Sequence, residues 1–204
     1  MKKHKWEKAW EEKKFEMKTL VPSILVSKYA EKFQPGDWAL DIGCGNGRNS
    51  IFLAEHGCNI ECFDVMDLQW REKLSADLQE KISFKKSSIL EYPYEASKYR
   101  AVILARVIQY LNSEELSFLM QKIKEGLRAD GFLLLSYTTK GGIFNREEID
   151  VPTYSYPVEQ IENLLKNMFK NVVVLKGSKT SEHVNYIDNV ITFDIYASNP
   201  HPLN

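Results

Sequence analysis

An acid followed by three glycines at alternate positions is the part of this sequence best suited to chemistry. Trp38-Ala39-Leu40-Asp41-Ile42-Gly43-Cys44-Gly45-Asn46-Gly47 runs directly into Arg48-Asn49-Ser50. A short apolar run ending in a carboxylate, a glycine-rich turn and the opening of a helical pattern predict strand, tight turn and helix N-terminus. That arrangement lets backbone approach a nucleotide closely. Glycine serves it by taking backbone angles that side chains forbid, or by leaving room for a ligand. A second carboxylate, Asp64, ends the run Asn59-Ile60-Glu61-Cys62-Phe63-Asp64. It follows the glycines by roughly 20 residues, the interval at which nucleotide-binding α/β folds place a ribose-binding acid. A carboxylate accepts both hydroxyl hydrogens of a ribose, and no neutral side chain does so as well.

The spacing narrows the choice of nucleotide. A dinucleotide fingerprint, G-x-G-x-x-G, needs its third glycine at position 48, where this chain has Arg48. A phosphate-binding loop needs Gly-Lys-Ser/Thr, which is absent. A glycine turn without any ligand stands as the bland alternative. The stretch resembles motif I of the class I S-adenosylmethionine-dependent methyltransferases, an acid followed by G-x-G-x-G. Gly45-Asn46-Gly47-Arg48-Asn49-Ser50 and the aromatic-rich N-terminus look most like the small-molecule enzymes of tellurite-resistance and thiopurine type. The resemblance implies S-adenosyl-L-methionine as cofactor. Gly43, Cys44 and Gly45 would line its methionine and ribose portion, with Gly47 and Asn49 completing that wall. Asp41 would orient the loop and the methionine amino group, or only brace the loop. Asp64 would hold the ribose hydroxyls, and Val65 and Met66 would flank the adenine. Ser88 and Ile89 would border the adenine on its other side, with Ser88 standing where the family carries an acid. Ala105 and Arg106 would reach the methionine end. Arg100 also replaces a usual acid, but at the N-terminal end of its strand, away from where open α/β sheets bind ligands.

Methyl transfer is an in-line displacement at a sulfonium carbon by a nucleophilic O, N or S. A dry, oriented pocket supplies much of the acceleration. A base is needed only when the nucleophile must lose a proton. The sequence has no Asn-Pro-Pro-Tyr motif for base amino groups and no metal tetrad of catechol type, so no metal is expected. Candidates near the methyl group are Arg106, Tyr110, Tyr137 and His183 for catalysis, and Trp6, Trp10, Arg106 and Gln109 for the acceptor. Thr138 ends the same strand as Tyr137. The expected function is transfer to a small-molecule acceptor. A cofactor-binding sensor or assembly partner without transferase activity is the competing reading, motivated by Ser88 and the lack of an evident base. A nicotinamide oxidoreductase is a third, disfavoured by Arg48.

The elements that must position these groups alternate along the chain. Residues 1–17 form a charged helical pattern carrying Trp6 and Trp10 one turn apart, either a docked terminal helix or a lid. A second helix starts near Pro22 and stops before Pro35-Gly36. Strands are expected at 37–42, 59–64, 82–85, 99–105, 132–137, 171–176 and 190–197. Helices fall at 49–56, 68–78, from Asn112 or Ser113 to about Leu127, and from Pro157, with Val158, Ile161, Leu164, Leu165 and Met168 inward. Ala129-Asp130-Gly131 reads as a turn, 138–156 as a long irregular connection, and the loop with His183 and Tyr186 as polar. This order implies an α/β fold: a Rossmann-like, mostly parallel sheet, which the resemblance makes seven-stranded with its last strand antiparallel and helices on both faces. The expected organisation is an N-terminal helical lid or extension (1–36), a methyltransferase domain (37–198) and a tail (199–204).

Composition fits one domain of 204 residues, 44% hydrophobic and 27% charged. With 27 basic against 28 acidic residues, the chain has no electrostatic footprint for nucleic acid or an anionic membrane. Cys44, Cys58 and Cys62 form no C-x-x-C pair. Charges interrupt the N-terminal apolar residues, so no signal peptide is expected, and no apolar run reaches membrane-spanning length. A cytoplasmic monomer or homodimer is the expectation.

Overall fold

Apolar strand patterns and amphipathic helix patterns alternate, and they build a single sheet. The computed structural model describes residues 20–138, 152–175 and 192–202. Its strands are β1 (Trp38–Ile42), β2 (Asn59–Asp64), β3 (Ile82–Lys86), β4 (Tyr99–Ala105), β5 (Leu127–Thr138), β6 (Phe169–Leu175) and β7 (Thr192–Pro200). The helices are α1 (Ile24–Lys28), α2 (Arg48–Glu55), α3 (Ala76–Lys81), α4 (Ser113–Gly126) and α5 (Val158–Lys166). Strand order is β3-β2-β1-β4-β5-β7-β6. The first five strands pair in parallel, and β7 runs antiparallel between β5 and β6. The seven-stranded, mostly parallel sheet with an antiparallel last strand is therefore as expected.

The chain winds outward from β1 through β2 to β3, then returns to place β4 on the other side of β1. That reversal is a topological switch point, and ligands of open α/β sheets bind outside the carboxyl ends of the strands there. Successive residues face opposite sides of the sheet, so two cores form. Leu40, Ile42, Leu104 and Leu133 pack with Leu119 and Ile123 of α4 and Ile161 and Leu165 of α5. Ala39, Ile103 and Leu134 pack on the other face with Leu53 and Ala54 of α2 and with Leu25, Val26 and Phe33. Residues 24–33 thus belong to the sheet's packing, and Tyr29 stacks on Tyr196 at 4.3 Å. Helix α4 opens on a capping box: the Asn112 side chain accepts from the Glu115 N–H at 2.9 Å, and Glu115 Oε2 accepts from the Asn112 N–H at 2.8 Å.

Three expectations need correction. The helix expected at 68–78 is instead a 3-10 turn, Trp70–Lys73, followed by α3 at Ala76–Lys81. Gln69 takes a left-handed φ of 52° and Leu74 is extended, so no continuous helix can form, and the buried Trp70 anchors the segment inward. The expected turn at 129–131 lies inside β5, which starts at Leu127 opposite Tyr99 and carries a register shift before Phe132 meets Ala101. Helix α5 ends at Lys166, and Met168 is buried beyond it. Arg100 sits where expected, far from the carboxyl ends, over the Phe132 ring at 5.1 Å and 3.9 Å from Asp37.

Candidate active site

The turn after β1 is built from left-handed backbone: φ is 66° at Gly43, 55° at Gly45 and 75° at Gly47. L-residues with a Cβ seldom adopt these angles. Close approach adds a second requirement at two of the three. A Cβ at Gly43 would lie 2.6 Å from a Val107 methyl, and one at Gly47 would lie 2.5 Å from the Trp70 ring. The turn is also tied to the end of β2, because the N–H groups of Gly43 and Cys44 both donate to the Phe63 carbonyl, at 2.9 and 3.1 Å. Val107 follows β4, so the glycine turn is keyed to three strand ends at once.

Two carboxylates flank it. Asp41 is buried, and its Oδ2 accepts from the Ser50 hydroxyl at 2.7 Å, fastening β1 to α2. Burial pushes the Asp41 carboxyl up to about 6, with the Asp64 charge adding to the rise and Ser50 and Arg48 opposing it. Asp64 Oδ2 accepts from the Gly45 N–H at 2.9 Å and Oδ1 from the Met66 N–H at 3.0 Å. Its pKa is raised by burial, and those N–H groups, with that of Val65, pull it back. An ionised carboxylate has about four acceptor sites, so both oxygens can still receive a hydroxyl.

The neighbouring wall comes from the loop after β3. The Ser87 N–H donates to the Asp64 carbonyl at 2.9 Å, which sets Ser88 and Ile89 beside Val65 and Met66. The Ser88 hydroxyl donates to Glu91 Oε2 at 2.9 Å, and the Ile89 carbonyl accepts from the Tyr94 hydroxyl at 3.0 Å. Glu91 was not singled out from the sequence, although Ser88-x-x-Glu91 is a spacing at which a serine reaches a carboxylate across one turn. Trp70 was likewise missed, because its contact with Gly47 joins residues from separate elements. Asn49 has a partner that the motif could not show: its Oδ1 accepts from the Ser23 N–H at 2.9 Å, tying α2 to the segment before α1.

The end of β4 differs in character. Ala105 pairs with Ser136, and Arg106 takes a left-handed φ of 61° while its N–H donates to the Ser136 carbonyl at 2.7 Å. The 3-10 turn Ile108–Tyr110 follows. Burial pushes the Tyr110 hydroxyl up to about 12, opposed by the Gln109 amide and the Arg106 charge, so these three side chains are neighbours. Tyr137 is buried and stacks on Phe193 with ring centres 5.9 Å apart. Burial also drives its pKa upward, with Glu159 adding to the rise. The Tyr154 N–H donates to the Gln109 carbonyl at 2.7 Å, and the Tyr156 hydroxyl to the Leu111 carbonyl at 2.7 Å, so the segment before α5 returns to this corner. The structure thus gathers Arg106, Gln109 and Tyr110 at one strand end, with Tyr137 and Thr138 on the adjoining strand. Trp6, Trp10 and His183 lie outside the described residues. Among the described residues no group of His, Cys, Asp and Glu is arranged to hold a metal, and no helix is long and apolar enough to cross a membrane.

A doubly wound sheet with this turn at its switch point defines a Rossmann-like α/β fold. Residues 39–131 match the family model described as "Methyltransferase domain", so the resemblance read from Asp41–Gly47 holds. Among curated proteins, the ribosomal protein L11 methyltransferase of Campylobacter concisus is 28% identical over 166 residues, which is 80% of this chain and 49% of that protein. The chain therefore spans about half the length of that relative. Among solved structures, the Burkholderia thailandensis 1,6-didemethyltoxoflavin-N1-methyltransferase, with bound 1,6-didemethyltoxoflavin and S-adenosylhomocysteine, aligns with a TM-score of 0.76. The alignment is 12% identical and covers 97% of this chain and 86% of that one. A phosphoethanolamine N-methyltransferase of Haemonchus contortus aligns with a TM-score of 0.70 and 17% identity, over 98% of this chain and 58% of that one. The N-methyltransferase NodS of Bradyrhizobium japonicum WM9 gives 0.61 and 17%, over 86% and 84%. At these identities the structural matches establish the fold.

Proposed function

We propose that this chain is an S-adenosyl-L-methionine-dependent methyltransferase that moves a methyl group to O, N or S of a small-molecule acceptor by in-line displacement. One observation carries the reading. Three left-handed glycines form a turn bonded to the end of β2, and the Asp64 carboxylate at that end accepts the Gly45 N–H. The residues fit the cofactor: Asp64 keeps acceptor capacity on both oxygens for a ribose diol, and the Asp41 carboxylate suits an ammonium. Gly43, Cys44, Gly45, Gly47 and Ala105 line the methionine and ribose side, with Asn49 behind them. Val65, Met66, Ser88 and Ile89 flank the adenine side. When bound, the cofactor supplies a methyl group on a cationic sulfonium.

The chain's own part is orientation and exclusion of water. Burial makes a phenolate costly at Tyr110 and Tyr137, so both act as neutral hydrogen-bonding groups rather than bases. Arg106 and His183 are the candidates for handling charge or a proton, and Trp6 and Trp10, on the 1–36 extension, for covering the acceptor. Free Cys44 is buried with a pKa well above the usual thiol range, chiefly from burial, which removes it as a nucleophile. The near-neutral charge balance supports an acceptor other than nucleic acid or a membrane surface; the chain is taken as a cytoplasmic monomer or homodimer.

A second reading, a protein acceptor, is favoured by the similarity to the Campylobacter enzyme. The test is calorimetric titration with S-adenosylmethionine and S-adenosylhomocysteine, then mass-spectrometric turnover with thiols, amines, oxyanions and ribosomal protein L11. Binding plus a methylated small molecule supports the proposal. Methylation of L11 alone selects the protein acceptor, and binding without product across the panel selects a sensor. Failure to bind either cofactor form overturns the reading.

A further inference from the structure

The turn after β4 holds a buried amide with neither half satisfied. Gln109 is fully buried, and among the described residues neither its Oε1 nor its Nε2 makes a well-formed hydrogen bond; the neighbouring Tyr110 hydroxyl is one its amide would favour when ionised, a form that burial opposes. Its backbone is fixed on both sides, by the Tyr154 N–H on its carbonyl and by the Asn112 capping box three residues on. Two hydroxyl oxygens at the adjoining strand end, Tyr137 Oη and Thr138 Oγ1, are likewise buried without partners among the described residues. Folded proteins rarely leave such atoms unmet, because each forfeits the bonds it made to water. The amide also stands near the candidate cofactor turn, since Val107, two residues earlier, is the contact that Gly43 leaves room for.

We propose, resting on the methyltransferase reading above, that the Gln109 amide recognises the acceptor. The acceptor is then an uncharged compound that carries a hydrogen-bond donor beside an acceptor, as along the edge of a lactam or an amino-heteroaromatic ring. An amide offers one donor and one acceptor side by side, and only a complementary edge meets both at once, as when Gln or Asn reads adenine. A carboxylate would satisfy Nε2 but repel Oε1, and an ammonium would do the reverse. The aromatic setting suits a flat ring: Tyr137 stacks on Phe193, and Tyr110 and Tyr154 flank Gln109 in sequence and by hydrogen bonding. Arg106, beside Tyr110, argues for an anionic acceptor instead, and the experiment separates the two.

With S-adenosylhomocysteine at saturation, calorimetry compares 2-pyridone and lumazine with their N-methylated forms and with benzoate. The lactams should bind at least tenfold tighter than the other two classes. Gln109→Leu should weaken lactam binding at least tenfold and leave S-adenosylhomocysteine affinity unchanged, which also shows that the variant is folded. Gln109→Glu, nearly the same shape but able only to accept when ionised, should lose the lactams and gain the 2-aminopyridinium cation. Benzoate binding as tightly as the lactams, or lactam affinity untouched in Gln109→Leu, overturns the inference while the methyltransferase reading stands. Failure of S-adenosylhomocysteine to bind overturns both.

Discussion

The β1–β2 end of the sheet and the β4–β5 end lie side by side and are finished in opposite ways. At the first, the named polar groups close on one another: Asp64 takes the N–H groups of Gly45 and Met66, Asp41 takes the Ser50 hydroxyl, and the Phe63 carbonyl takes two N–H groups. At the second, the Gln109 amide and the hydroxyls of Tyr137 and Thr138 are buried without partners among the described residues. A surface that meets a common cofactor can be braced entirely by its own bonds, with only spare acceptor sites facing the ligand. On the proposal above, a surface that must tell one acceptor from another holds its recognition groups unmet, at a cost in stability, so that the right ligand satisfies them.

The contrast can be broken by substitution, and the largest effect is expected on the braced side. Gly47→Ala forces a Cβ to within 2.5 Å of the Trp70 ring at a φ of 75°. It should cost about 2–4 kcal/mol in chemical denaturation, from left-handed strain plus overpacking. Trp70→Ala in the same chain should recover only the steric part; a neutral Gly47→Ala would show that the turn is not rigid.

Next in size is a bonded cluster remote from both ends. Glu61 accepts from the hydroxyls of Tyr92 at 2.9 Å and Tyr99 at 2.5 Å, and from Lys98. Burial opposes its ionised form, but Lys98, Tyr99 and Tyr92 prevail and hold its pKa below the usual glutamate range. Its contribution is thus present above the unfolded value of about 4.3 and lost as pH falls through the lower native value. Glu61→Ala should remove roughly 2–3 kcal/mol at neutral pH without changing cofactor affinity, and a matching loss of affinity would mean the cluster reaches the site.

Asp64→Ala should weaken S-adenosylmethionine binding by roughly 1–3 kcal/mol in calorimetry, the range for hydrogen bonds to a charged group. Unchanged affinity would sink the ribose assignment.

Asp41 predicts a pH dependence. Burial pushes it up to about 6, so the native carboxyl keeps its proton to higher pH than the unfolded one. This term therefore lowers stability as pH rises from about 4 to about 6 and is constant above. A cationic ligand group beside it favours the carboxylate, so affinity should rise about tenfold between pH 5 and 7. Titrations in two buffers of different ionisation heat should show proton release near pH 6, and a flat profile would leave Asp41 as a brace only.

The smallest effect has the opposite sign. Gln109→Leu should raise stability by about 1 kcal/mol, because an unmet buried amide is replaced by apolar surface. A loss of stability would mean the amide is satisfied within the protein.

Much of the fold was legible because strands buried on both faces read as apolar runs, which fixed β2 at Asn59–Asp64 and β4 at Tyr99–Ala105 to the residue. The boundaries that went astray depended on distant contacts. Trp70 broke a helical period to reach Gly47, and β5 began before Gly131 because Leu127 meets Tyr99 across the sheet. In the site, Asp41, the glycines and Asp64 were visible because they lie within a short span of chain. By itself the sequence determined a glycine turn between two acids, and with it the candidate cofactor surface, since backbone angles and carboxylate chemistry are local properties. Only the tertiary structure decided which polar groups would be closed and which left open. Ser23 satisfies Asn49 across 26 positions of chain, whereas the amide of Gln109, beside Tyr110, is buried without a well-formed hydrogen bond among the described residues. Satisfaction depends on what folding brings within hydrogen-bond reach, and no spacing along the chain encodes that.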